Sequence, residues 1–191
     1  MFSSYEILLG SNSPRRKELL KIMGIRFTHV NINTKETYPD SLSPIHIASY
    51  LSVLKSQQYN KKIANKQLLL TADTIVLTYN NKVLGKPKNK QSAVNMLNLL
   101  SGKKHKVITA ITLTSNKKQS TKSCSTTVYF NPIKREYINF YVNNFNPIDK
   151  AGAYGIQEWI GLHFIKKIDG SYFNVVGLPT HLLKEMLQDF S

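Results

Sequence analysis

The chain has 191 residues, with 26 Lys and Arg against 11 Asp and Glu, and hence a formal net charge of +15. Its single cysteine, Cys124, excludes a disulfide framework and any cysteine-based zinc site, and no apolar run approaches the roughly 18 residues of a membrane span. The expected organisation is one domain over residues 1–191, or two small lobes sharing a core, and Met1–Glu6, without the basic start and apolar stretch of a signal peptide, points to the cytoplasm.

Apolar runs alternate with helical patterns along the chain, which predicts an α/β fold. Glu6–Leu9 reads as a first strand. Ser13 as N-cap and Pro14 at the first helical position open a helix that Gly24 ends. A strand over Phe27–Ile32 and a polar loop over Asn33–Ser43 follow, and Ser43-Pro44 repeats the cap signal for a helix to about Lys61. Leu68–Tyr79 is strongly strand-like, with a turn at Asn80-Asn81. Gln91–Leu100 reads as a helix, Lys106–Ser115 and Ser123–Phe130 as strands, and Lys134–Asn144 as a helix with Ile138, Tyr141 and Val142 facing inward. After a loop over Asn146–Tyr154, a hairpin is predicted from Leu162–Ile168 and Tyr172–Val176 across Asp169-Gly170. The apolar stripe of Thr180–Phe190 predicts a terminal helix.

The charge has two readings. Phosphate neutralisation dominates nucleic-acid binding, yet only four of the cations are arginines (Arg15, Arg16, Arg26, Arg135), and the many Lys, Asn and Ile residues share A/T-rich codons. The cations are scattered, so a surface composition with one small acidic ligand is the plainer account.

Several segments carry chemical potential. Leu9-Gly10-Ser11-Asn12-Ser13-Pro14-Arg15-Arg16 runs from a strand through small residues into a helix start, where free N–H groups favour an anion. Two arginines in the first turn oppose the helix dipole by about 0.3–1 kcal/mol each, which makes sense with an anion in front; the alternative is a pair of solvated arginines. Ser11 and Ser13 are further donors, Ser13 equally a plain cap. Asp73 interrupts an apolar strand and is either a backbone-bonded structural residue or a metal ligand or general base. Lys55 falls at 100° per residue inside the apolar stripe of Ile47, Ala48, Leu51 and Leu54, so it either snorkels outward or points into a site. Gly85-Lys86-Pro87 alone is no more than a turn with an exposed lysine, and Glu36 alone reads as solvated. Asp149–Gln157 is rich in small residues that let backbone approach a ligand, and Gln157 could read a base edge.

Taken together, Gly10–Leu20, Ala72-Asp73-Thr74-Ile75-Val76, Leu84-Gly85-Lys86-Pro87, Leu100–His105, Asp149–Gln157 and Val176-Gly177-Leu178-Pro179 resemble the Maf family of nucleoside triphosphate pyrophosphatases, over most of the chain. The resemblance implies a mixed, curved sheet flanked by helices, like that of the inosine triphosphate pyrophosphatases, a divalent cation (Mg²⁺ or Mn²⁺) and a homodimer. It implies that Asp73 is the key acidic residue, that Arg15, Lys55 and Lys86 are site cations, that Glu36 is the loop glutamate, and that Ser11, Ser13, Arg16 and Gln157 bind substrate. Asp73 and Glu36 are the implied metal ligands. The Ala-Asp-Thr and Tyr-Gly-Ile-Gln forms look like the branch acting on dTTP and UTP, with a house-cleaning role and a link to arrest of cell division. Neither stable nucleic-acid binding nor membrane association is expected. A departure follows Gln157: where many members have a Gly-x-Gly turn, this chain has Glu158-Trp159-Ile160-Gly161, one residue longer.

Overall fold

The structure, a computed structural model, describes residues 5–190. Its strands are β1 (Glu6–Leu9), β2 (Phe27–His29), β3 (Gln67–Thr78), β4 (Val83–Leu84), β5 (Lys104–Thr114), β6 (Gln119–Phe130) and β7 (Ile165–Asp169). Its helices are α1 (Pro14–Ile22), α2 (Ile47–Gln57), α3 (Lys90–Leu100), α4 (Arg135–Phe145), α5 (Trp159–Phe164), α6 (Tyr172–Val176) and α7 (Thr180–Gln188). The sheet order is β2-β1-β3-β5-β6-β7, with β4 on β3. β1 pairs in parallel with β2 and β3, while β4 and β7 pair antiparallel with β3 and β6, so the sheet is mixed, as expected. Among the described residues no helix is long and apolar enough to cross a membrane.

The chain divides into two compact units. The boundary falls within three long strands, after Asp73 in β3, after Ile108 in β5 and after Cys124 in β6, and again after Val176. In the first unit β1 lies between β2 and β3 in a parallel trio, and the buried residues of the trio are richest on β3. The β3 run Leu68-Leu69-Leu70-Thr71-Ala72 is buried throughout, which is why it reads as a nearly continuous apolar strand. α1 buries Leu19 and Leu20 and ends as predicted, Ile25 N–H bonding back to Leu20 O and Gly24 N–H to Lys21 O at a glycine with φ +70°. In the second unit Ala93, Leu97 and Leu100 of α3 and Ile138, Tyr141 and Val142 of α4 join Phe130, Tyr154 and Ile160 in one core. Each buried Leu, Ile, Val or Phe side chain there contributes about 1.5–3 kcal/mol by leaving water.

Four predictions need correction. The second helix is a 3₁₀ turn, Pro44–His46, followed by α2, and it stops at Gln57, where the stretch to Lys62 is polar and exposed except for the half-buried Tyr59. β2 covers only Phe27–His29. β6 begins at Gln119 rather than Ser123, since Thr121 Oγ1 pairs across to Thr112 Oγ1 at 2.9 Å. The hairpin over residues 162–176 does not form. Ile165–Asp169 pairs with β6 instead, and Tyr172–Val176 coils because Asn174 Nδ2 donates to Val107 O and Thr126 Oγ1, both at 2.9 Å, partners far away in sequence.

Candidate active site

In the first unit strand β3, helix α2 and the loop that follows β2 bring three charged side chains together. β3 carries Asp73 on buried backbone, and α2 carries Lys55 toward it. The Lys55 ammonium donates to Asp73 Oδ1 and lies 2.8 Å from Glu36 Oε1. The apolar stripe of α2 therefore does hold Lys55 inward, and Glu36, solvated by sequence pattern alone, is ion-paired. Burial pushes the Asp73 carboxyl above its ordinary range. Lys55 pulls it down and the neighbouring Glu36 pushes it up, and burial wins.

Hydroxyl pairs fix the height of α2. Ser52 Oγ meets Thr112 Oγ1 at 2.6 Å, Ser56 Oγ meets Thr114 Oγ1 at 2.7 Å, and Thr71 Oγ1 donates to Ser52 O at 2.7 Å. These bonds bracket Lys55 on its own helix. No sequence signal singled out these hydroxyls, because their partners lie 19, 58 and 60 residues away.

The two arginines of α1 differ. Arg15 is half-buried, whereas Arg16 is buried. Arg16 Nε donates to Gly177 O at 2.8 Å, and its Nη1 donates to Ala72 O at 2.9 Å and Ser11 Oγ at 3.1 Å. Burial lowers its pKa, with Asp73 opposing. Arg16 thus ties the residue preceding Asp73 to the Ser11 loop, as a strut between backbone segments. Periodicity could have found it, since it lies three and four residues before Leu19 and Leu20, the buried face of α1. Ser13 occupies the cap position, but its side chain makes no cap hydrogen bond; its N–H donates to Ser11 Oγ at 3.3 Å.

The second unit carries Lys86 and Gln157, both exposed. Their loops are joined, Gly152 N–H donating to Gly85 O at 3.1 Å. His105 is buried, with Nε2 2.7 Å from the Tyr154 hydroxyl and its ring edge-on to Phe130. Burial drives its pKa down to about 3, so it stays neutral. Among the described residues no group of three or more His, Cys, Asp or Glu could hold a metal ion. Asp73 and Glu36 are nonetheless close enough to share one cationic group, a donor set that suits a hard ion completed by water and phosphate oxygens.

Comparison with known proteins decides the family. The model of the Maf family, described as Maf-like protein, matches residues 6–190. The chain belongs to the Maf family. This Maf-family chain is 48% identical over 195 residues to a dTTP/UTP pyrophosphatase of Christiangramia forsetii, covering 98% of this chain and 97% of that one. It is 43% identical over 189 residues to a dTTP/UTP pyrophosphatase of Porphyromonas gingivalis, covering 97% and 94%. A protein of the same name from Bacteroides thetaiotaomicron is 43% identical over 180 residues, covering 94% and 93%. The fold is that of the Staphylococcus aureus Ham1 protein, with a TM-score of 0.54 at 13% identity, over 97% of this chain and all of the other.

Proposed function

We propose that this Maf-family chain hydrolyses dTTP and UTP to the nucleoside monophosphate and pyrophosphate, as a homodimeric house-cleaning enzyme. The observation that carries the reading is the Lys55 ammonium bonded to buried Asp73 and to Glu36, and the names of the relatives supply the substrate. Water attacks the α-phosphorus, the bond from that phosphorus to the bridging oxygen breaks, and pyrophosphate leaves. The proton of the water passes to Asp73 Oδ2, the oxygen that does not accept from Lys55. A carboxyl with a raised pKa is suited to that task, since a base works best near the operating pH.

Asp73 and Glu36 would hold Mg²⁺ or Mn²⁺, which when bound neutralises and polarises phosphate oxygens. Arg15 grips phosphate oxygens with a planar fork, Ser11 and Ser13 lie on the loop beside it, and Lys86 answers charge building on the leaving group. Gln157 contacts the nucleoside. Arg16 acts through the backbone it ties. The test is a panel of standard and modified nucleotides assayed for pyrophosphate with each metal. The expected result is release from dTTP and UTP; no release from any nucleotide with either metal refutes the reading.

A further inference from the structure

The segment Glu158–Gly161 folds into a clamp behind Gln157. Residues 155–158 form a four-residue turn closed by Glu158 N–H to Gly155 O at 3.1 Å, with Gln157 exposed at its third position. The Glu158 side chain folds back over the turn. Its Oε1 lies 3.0 Å from Lys150 Nζ, and its Oε2 accepts from the Tyr141 hydroxyl. That hydroxyl in turn accepts from Gly155 N–H at 3.2 Å. Lys150 and Tyr141 are both buried, so neither anchor is free to wander. The fit across the turn is close: a Cβ on Gly155 would stand 2.7 Å from Glu158 Cδ. Beyond Glu158 the chain is pinned again, with the Trp159 ring 4.9 Å from Phe140 and 5.8 Å from Phe164.

We infer that Glu158 is a positioning residue for substrate selection: through Lys150 and Tyr141 it fixes the turn that presents Gln157 to the nucleoside. This rests on the pyrophosphatase reading. It differs from a plain structural role because the clamp closes on the two ends of one turn, whose only exposed member is Gln157.

A double-mutant cycle separates the two. Steady-state kinetics with dTTP and UTP are measured for wild type, Glu158→Ala, Gln157→Ala and the double variant. Expected is a KM raised about 10-fold in Glu158→Ala with kcat within about 3-fold, and a further change below about 2-fold when Glu158→Ala is added to Gln157→Ala. Equal effects in both backgrounds, or an unchanged KM, overturn the inference. Should Glu158→Ala not fold, Tyr141→Phe, which removes only the relaying hydroxyl, gives a smaller KM increase that also vanishes beside Gln157→Ala; additivity there overturns it equally. A wild-type chain that releases no pyrophosphate defeats the parent reading, whereas turnover with additive effects defeats only the role of Glu158.

Discussion

Replacing Lys55 by Met is the sharpest perturbation of the site. It removes the ammonium and keeps most of the side-chain volume, so the carboxylates lose their counterion without a large cavity. The structure apportions the cost. The Lys55 and Asp73 side chains are 14% and 8% exposed, whereas that of Glu36 is 40% exposed. The Glu36 half is therefore screened and contributes about 0–1 kcal/mol. The Asp73 half is a buried pair, and removing one partner of such a pair costs about 3–5 kcal/mol, because the other charge is left uncompensated. If Asp73 must be ionised to take the proton, that cost enters the barrier as a fall of roughly 10² to a few times 10³ in kcat. Part of the cost is relieved by protonation, and the direction is fixed: both Lys55 contributions lower the Asp73 pKa, so their loss raises it further. The assay is pyrophosphate release from dTTP, with kcat and KM followed from pH 5 to 9. Expected is the fall in kcat together with an acidic limb displaced to higher pH. A Lys55→Met enzyme that keeps kcat within about 3-fold and an unmoved acidic limb refutes the pairing argument.

Three further outcomes follow from named contacts. Asp73 has a raised pKa when folded, so the folded chain binds more protons than the unfolded one above the ordinary value of 3.8; stability is fullest below 3.8 and is lost as pH rises through the folded pKa. In thermal melts against pH, Asp73→Asn should gain on wild type as pH rises through that window, while its kcat falls about 10² or more; a pH-independent gap contradicts the raised pKa. Arg16→Met leaves the Ala72 and Gly177 carbonyls without a buried donor, at about 1–3 kcal/mol each, and should lower Tm by roughly 5–20 °C, with Arg16→Lys recovering only part because an ammonium cannot form the same fork. An unchanged Tm with a raised KM would instead make Arg16 a phosphate ligand. A Cβ on Gly161 would stand 2.0 Å from Ile156 O, whereas one on Gly85 meets nothing within 4 Å; Gly161→Ala should cost about 3 kcal/mol or more and Gly85→Ala less than about 0.5 kcal/mol, measured by denaturant titration.

The parts of this architecture that were legible in sequence are those set by local physics. The apolar run of β3, the stop of α1 at Gly24 and the inward stripe position of Lys55 each follow from a few adjacent residues, and Asp73 stood out because it interrupts a buried strand. What sequence periodicity could not reach depends on partners distant along the chain. Glu36 gains its meaning only from Lys55, and the Glu158 clamp only from Lys150 and Tyr141. Residues 172–176 carry the aromatic and β-branched side chains of a strand, yet Asn174 coils them by reaching Val107 and Thr126. Arg15 and Arg16 look alike in sequence, and the face that α1 buries separates them.

The paired hydroxyls under α2 make the placement of Lys55 a matter of register. A helix slipping by one residue turns each side chain by about 100°, and here that slip would also break the Ser52–Thr112 and Ser56–Thr114 pairs. Each broken pair costs about 0.5–1.5 kcal/mol. Small errors of angle thus have no cheap intermediate. The ammonium is either in line with Asp73 or the helix is wrongly seated, and the alignment is achieved during folding, before any nucleotide arrives.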